Sequence, residues 1–164
     1  YTWPKAEDAF VKYIEEGHGG WIGFHHATLL GEFDGYPMWQ WFSDFMGGVR
    51  FKNYIAPLAD GTLIVEDEQH PVMKGVPASF VVPDDEWYIY DKSPRPNVHV
   101  LANVDESSYT PASDIKMGDH PVVWVNENKK ARNVYFQIGH SSKLYETEGF
   151  TTMFRNAINW TLER

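Results

Sequence analysis

The stretch Gly19-Gly20-Trp21-Ile22-Gly23-Phe24-His25-His26-Ala27 sets two adjacent histidines directly behind a short apolar run. Histidine changes charge near neutral pH, so it serves as general base, general acid or metal ligand. The run reads as a buried strand entering a tight turn, and ligands in open α/β sheets bind at the carboxyl ends of strands. Gly23-Phe24-His25-His26-Ala27 has the small flanking residues of a nucleophile elbow, with histidine where a Ser or Cys nucleophile would stand. A further histidine, His140, follows the apolar residues 134–138 and can face the same crevice. Asp85 and Glu86 precede Trp87 and Tyr88, and a carboxylate desolvated by aromatic rings has a raised pKa suited to proton transfer.

His25, Glu86 and His140 are therefore the candidate catalytic set. His25 or His140 would act as general base, with Glu86 as acid or as the group orienting a histidine. Such a set suits proton abstraction next to a carbonyl, or activation of water. Each has a plain structural alternative: a histidine capped by a carbonyl, a surface-loop histidine, a solvated acidic cluster Asp84-Asp85-Glu86. His26 points away from His25 if the strand persists, which makes it structural. His70 and His120 each precede a proline, which fixes an extended backbone and shapes loops. No cofactor motif is present. A divalent metal, if used, would be held by His25, Glu86 and His140 from separate strands, because no H-x-x-x-H or H-x-H spacing occurs.

The elements that must position these groups follow from periodicity. Residues 5–16 place Ala6, Ala9, Phe10, Tyr13 and Ile14 at helical spacing, and Gly17 and Gly19-Gly20 end that helix. Ala27-Thr28-Leu29-Leu30 opens a second helix after the elbow strand, and the aromatic-rich residues 39–46 form another, ending at Gly47-Gly48. Residues 62–65 are a strand, 70–77 a loop and 80–82 a brief extended piece. Residues 86–90 and 98–104 are strands, and the polar residues 107–118 an exposed loop. Residues 121–126 and 133–138 pair through the charged turn 127–130, and 150–162 close the chain as a helix. This is a mixed α/β order with helices at both ends.

Composition narrows the function classes. At 164 residues, 43% of them hydrophobic and 23% charged, the chain makes one domain over residues 1–164 with a substantial core. Its formal net charge of −9 and lack of a basic cluster argue against nucleic acid as a partner. No apolar run approaches the roughly 18 residues of a membrane-spanning helix. The chain has no cysteine, which excludes thiol nucleophiles and disulfides but leaves the compartment, cytoplasmic or periplasmic, undetermined. Aromatic residues make up 16%, with seven tryptophans, and rings beyond the needs of a core can stack on sugars. Trp39, Trp41, Trp87, Tyr88 and Tyr145 are the candidates.

Several motifs in sequence resemble one family. The elbow stretch resembles the "GGGxxGLHAA" segment of the ThuA-like, trehalose-utilisation family. His70-Pro71-Val72-Met73-Lys74-Gly75 resembles its "HPI-x-x-G" loop, and Asp85-Glu86-Trp87-Tyr88 its "DE-[LW]-Y" motif. His120-Pro121-Val122-Val123-Trp124 resembles "HPVxW", Val134 to Ser141 the closing strand and its "GHS" loop, and Phe154 to Trp160 the last helix. After Gly47-Gly48 the family often has a His-Pro pair where this chain has Lys52-Asn53-Tyr54. The resemblance implies a class I glutamine amidotransferase-like, flavodoxin-like layered sheet with helices on both faces. Amide transfer through a thioester is excluded by the missing cysteine. It further implies a role in carbohydrate utilisation, on a sugar or keto-sugar contacted by Trp87, Tyr88, Ser141, Tyr145 and His120. A non-catalytic sugar-binding or scaffolding domain and a metal-dependent hydrolase are the alternatives, and homo-oligomerisation is open.

Family members open with further strands ahead of the elbow strand. A central strand over residues 21–25 needs neighbours on both sides. The expectation is that the domain is N-terminally incomplete, with the second flank supplied by a longer chain or a partner.

Overall fold

The computed structural model of the protein describes residues 4–32 and 37–163. The first segment forms helix α1 (Pro4–Glu16), with Phe10, Tyr13 and Ile14 turned inward, and Gly17, at φ +75°, ends it in a left-handed turn. Helix α2 (Gln40–Phe45) and the closing helix α3 (Glu148–Leu162) complete the helical set. Among the described residues eight strands lie between α1 and α3: β1 (Trp21–Phe24), β2 (Phe51–Tyr54), β3 (Ala59–Val65), β4 (Ser79–Asp85), β5 (Tyr88–Tyr90), β6 (His99–Thr110), β7 (Pro121–Val125) and β8 (Asn133–Phe136).

Six of the strands make one sheet in the order β1-β8-β7-β6-β3-β4, and β2 pairs with β5 in a separate ribbon. β1 and β8 run parallel, and the remaining pairs of the large sheet are antiparallel. Side chains alternate between two cores, as strand geometry requires. Val134 and Phe136 of β8, Val123 and Val125 of β7, and Ile22 and Phe24 of β1 pack with Phe150, Met153 and Ala157 of α3. Tyr135, Trp124 and Trp21, from the same strands, pack on the other face with Ile14 of α1 and Phe45 of α2. Both faces are thus covered, the layered α/β arrangement expected.

The structure departs from the sequence reading in several places. The elbow strand stops at Phe24, one residue short. Among the described residues it pairs with β8 alone, so the chain flanks it on one side, as the sequence reading has it. The helix expected from Ala27 is a single 3-10 turn, His25–Thr28. β6 runs on to Thr110, through the first part of the expected 107–118 loop. Polarity hid that extension, because Glu106 and Tyr109 are buried there among alternating exposed positions. β2 was not legible, since most of its Phe51-Lys52-Asn53-Tyr54 run is exposed and polar.

Trp87 and His120 are corrections of another kind. Trp87 is 0% exposed, donates its indole N–H to Ala59 O at 2.8 Å, and sits where a Cβ on Gly61 would come within 2.6 Å of its ring. It has no free face for a sugar. His120 is likewise 0% exposed and Tyr88 2%, so neither has a free face for a sugar. Trp39 and Trp41 stack with Phe10, Phe42 and Phe45 between α1 and α2, so they too serve packing. Trp87→Ala is expected to lower the unfolding free energy by about 3–5 kcal/mol, the usual cost of emptying a large core site, measured by urea denaturation.

Candidate functional site

His25 takes the first position after β1 with φ +32°, a left-handed conformation that non-glycine residues rarely adopt. Its carbonyl is held by the Tyr135 hydroxyl at 2.8 Å and the Thr28 hydroxyl at 3.3 Å. Thr28 is tied in turn to the Tyr90 and Tyr135 hydroxyls. The turn redirects the chain so that His25 and His26 stack on the same side, ring centres 5.1 Å apart. The strand-alternation argument that sent His26 to the opposite face fails for this reason: alternation ends where the strand ends.

The His25 ring faces inward. Its Nδ1 donates to the Gln137 carbonyl at 2.7 Å, and a carbonyl can only accept, so Nδ1 carries a proton. Tyr88 stacks on the ring at 4.2 Å. Nε2 faces Glu86 Oε2 at 3.2 Å, and the same oxygen lies 3.5 Å from His140 Nδ1. His25, Glu86 and His140 are thus brought together, from the end of β1, the β4–β5 junction and the loop after β8. The His25 side chain is 7% exposed, that of Glu86 17% and that of His140 38%. His140 is the member open to solvent.

Asp85 holds this arrangement. Fully buried at the end of β4, it accepts from the backbone N–H of Gly139 at 2.9 Å, of His140 at 3.3 Å and of Glu86 at 2.8 Å. Gly139, at φ +139°, supplies a backbone turn favourable only to glycine, which aims consecutive N–H groups at one carboxylate. Burial pushes the Asp85 carboxyl up, against the opposing pull of these N–H donors and of His25. Burial, with the neighbouring Glu86, also raises the Tyr88 phenol, which stays protonated.

A second layer lies beneath. The Tyr88 carbonyl accepts from Gln137 Nε2 at 2.9 Å and lies 3.0 Å from His120 Nε2. His120 Nδ1 donates to Glu106 at 2.9 Å, and Glu106 also accepts from the N–H groups of Met117 and Gly118. Burial pushes Glu106 up, but those hydrogen bonds outweigh it and hold the carboxyl below its ordinary range. His120 therefore supports the backbone of Tyr88 from a fully buried position. Ser141 caps the 3-10 turn Ser142–Glu146 next to His140, and Tyr145, 48% exposed, stands edge-on to Phe150. Cavities of about 690 Å³ and 410 Å³ lie elsewhere, the first at the amino ends of β1 and β8, the second beside Glu66 and Asn103.

Three contributors escaped the sequence reading. Gln137 acts on His25 through its backbone, which leaves no side-chain signature. Tyr135 and Thr28 fall in an expected strand and an expected helix start, where neither stands out. The pair His25-His26 did carry a signal, its adjacency.

Two outcomes follow. Asp85→Asn puts an amide, which has only one acceptor oxygen, against the Gly139 and His140 N–H groups, and should cost about 1–3 kcal/mol while loosening the His140 loop, read by denaturation and amide exchange. Glu106 has a folded pKa below its ordinary 4.5, so its contribution is complete above that pH and is lost as pH falls through the folded value. Thermal melts of the parent should therefore fall more steeply below about pH 4.5 than those of Glu106→Gln.

Residues 2–161 match the family model described as ThuA, trehalose utilisation. No curated protein matches the sequence. Among solved structures the chain is similar to a ThuA-like protein of Bacteroides uniformis, with 35% identity and a TM-score of 0.80 over 94% of this chain and 62% of that one. It is also similar to a ThuA-like protein of Parabacteroides merdae, with 20% identity and a TM-score of 0.70 over 98% and 66%. The chain therefore spans just under two thirds of the length of these relatives. A β-galactosidase of Bacillus circulans shares the fold alone, at 13% identity and a TM-score of 0.56 over 96% of this chain and 20% of that one. With its layered α/β, flavodoxin-like fold, the chain belongs to the ThuA, trehalose-utilisation, family.

Proposed function

We propose that the protein acts on a sugar or keto-sugar at the carboxyl ends of β1 and β8, by proton transfer. The observation that supports this most is the convergence of His25 Nε2 and His140 Nδ1 on one carboxylate oxygen of Glu86, at 3.2 and 3.5 Å. His140, the most exposed of the three, takes a proton from the substrate or returns it. Glu86 balances the charge that forms on His140 and orients its ring. His25 holds Glu86 from the buried side and is itself held by Gln137 and Tyr88. Ser141 adjoins His140 and can bond a sugar hydroxyl, and Tyr145 offers an exposed ring. The family description, trehalose utilisation, supports a carbohydrate as the substrate class.

The test is a panel of trehalose, other disaccharides, glucose and their keto derivatives, incubated in D₂O and followed by NMR. Proton abstraction next to a carbonyl writes deuterium into the sugar, and hydrolysis gives the monosaccharides. His140→Ala should lower turnover by about 10²–10⁴-fold, the usual contribution of a positioned acid–base group. Equal turnover in parent, His25→Ala and His140→Ala refutes the site. Sugar binding by the parent with no exchange and no product supports the binding-module alternative instead.

A further inference from the structure

A lone pair on a neutral imidazole facing a carboxylate oxygen is repulsive unless a cation lies between them. His25 sets its Nε2 against such an oxygen. Its Nδ1 proton is committed to the Gln137 carbonyl at 2.7 Å, which leaves Nε2 facing Glu86 Oε2 at 3.2 Å. The intervening cation is either a proton or a metal ion, and the surroundings favour the metal. Metal-binding histidines characteristically donate their second ring N–H to a backbone carbonyl, which sets the tautomer and aims the free nitrogen. Two ligand atoms each about 2.1 Å from a tetrahedral ion stand about 3.4 Å apart, close to the separation seen here.

A third donor is present. The left-handed His25 turn stacks the exposed His26 beside His25, and donor atoms of His25, His26 and Glu86 all lie within 4.8 Å of one another. His26 is free to rotate the remaining distance, being exposed at the turn. Glu86 makes its ion pairs with His25 and His140, and no lysine or arginine among the described residues forms a salt bridge with it.

We propose that His25, His26 and Glu86 bind a divalent transition-metal ion of the zinc type. Two imidazoles and one carboxylate are a set used for zinc and other borderline divalent ions, with coordination positions left open. The ligand set differs from the one the sequence suggested, with His26 in the place of His140. His140, 3.5 Å from Glu86 and more exposed, stays free for proton transfer. The proposal rests on the reading of this cluster as a sugar site, and adds to it an electrophile for a sugar carbonyl, hydroxyl or water.

The test uses the whole chain, stripped with a chelator and titrated with Co²⁺ by visible absorption and with Zn²⁺ by calorimetry. One ion per chain is expected, with the intense d–d bands of a four- or five-coordinate site. His26→Ala, at an exposed position, should keep the parent melting temperature and weaken binding by more than about 100-fold, beyond the loss typical of a supporting group. Glu86→Gln should do the same, and His140→Ala should keep the bands. Absence of micromolar binding by the parent, parent-like binding by His26→Ala, or loss of the bands in His140→Ala overturns the assignment. Sugar turnover is scored separately. A protein that binds Co²⁺ as expected but turns over no carbohydrate refutes the proposed function and leaves the metal site standing.

Discussion

The buried carboxylate of Asp85 is the contact on which the rest of the site depends. Asp85 ends β4, at one edge of the large sheet, and accepts N–H groups from Gly139 and His140, beyond the end of β8 near the other edge. β7, β6 and β3 stand between β8 and β4 in the sheet, which in flat geometry would separate them by about 19 Å. The curl of the sheet and the loop after β8 close that gap, and Asp85 is where the closure is bonded. The same carboxylate accepts the N–H of Glu86, so the residue that anchors the loop also sets the direction of the residue that meets both histidines. Burying a carboxylate is costly unless it is hydrogen-bonded, and the converging N–H donors answer that cost.

Around this anchor the side chains are constrained in layers. His25 is in a conformation costing about 1–3 kcal/mol, and such strain persists only where its surroundings over-determine it. The Tyr135 and Thr28 hydroxyls on its carbonyl, Gln137 on its Nδ1 and Tyr88 on its ring supply that determination. Gln137 works in both layers, since its carbonyl orients His25 and its amide supports the Tyr88 carbonyl. His120 and Glu106 continue the support into the core. Histidines in His-Pro pairs play the same kind of part elsewhere: His70 Nδ1 accepts the Val72 N–H and shapes its own loop.

The outcome is a graded exposure, with His25 buried, Glu86 intermediate and His140 open. A general base must reach its substrate, and a group that orients it works best where water cannot compete. The order of burial therefore suits the division of labour proposed for the three. Exposed His26 adds a donor that the same strained turn brings to the same side.

The sequence by itself determined the elements with strong periodicity and the local chemistry at their ends. α1, α3 and the β7–β8 pair follow from apolar spacing and turn residues. His25, Glu86 and His140 were legible because histidines and carboxylates next to apolar runs stand out in any reading. Tertiary structure decided what those side chains touch. The left-handed turn at His25 reversed the expected direction of His26, and burial withdrew Trp87, Tyr88 and His120 from the set of expected sugar contacts. β6 outran its apolar stretch because Glu106 and Tyr109 found buried partners across the sheet. That β8 is the strand beside β1 came from pairing, since strand order depends on contacts far apart in the chain, to which local periodicity is blind. Periodicity reports which face of an element is apolar, whereas hydrogen-bond partners and ring stacking depend on which distant residues arrive opposite, and that only folding settles.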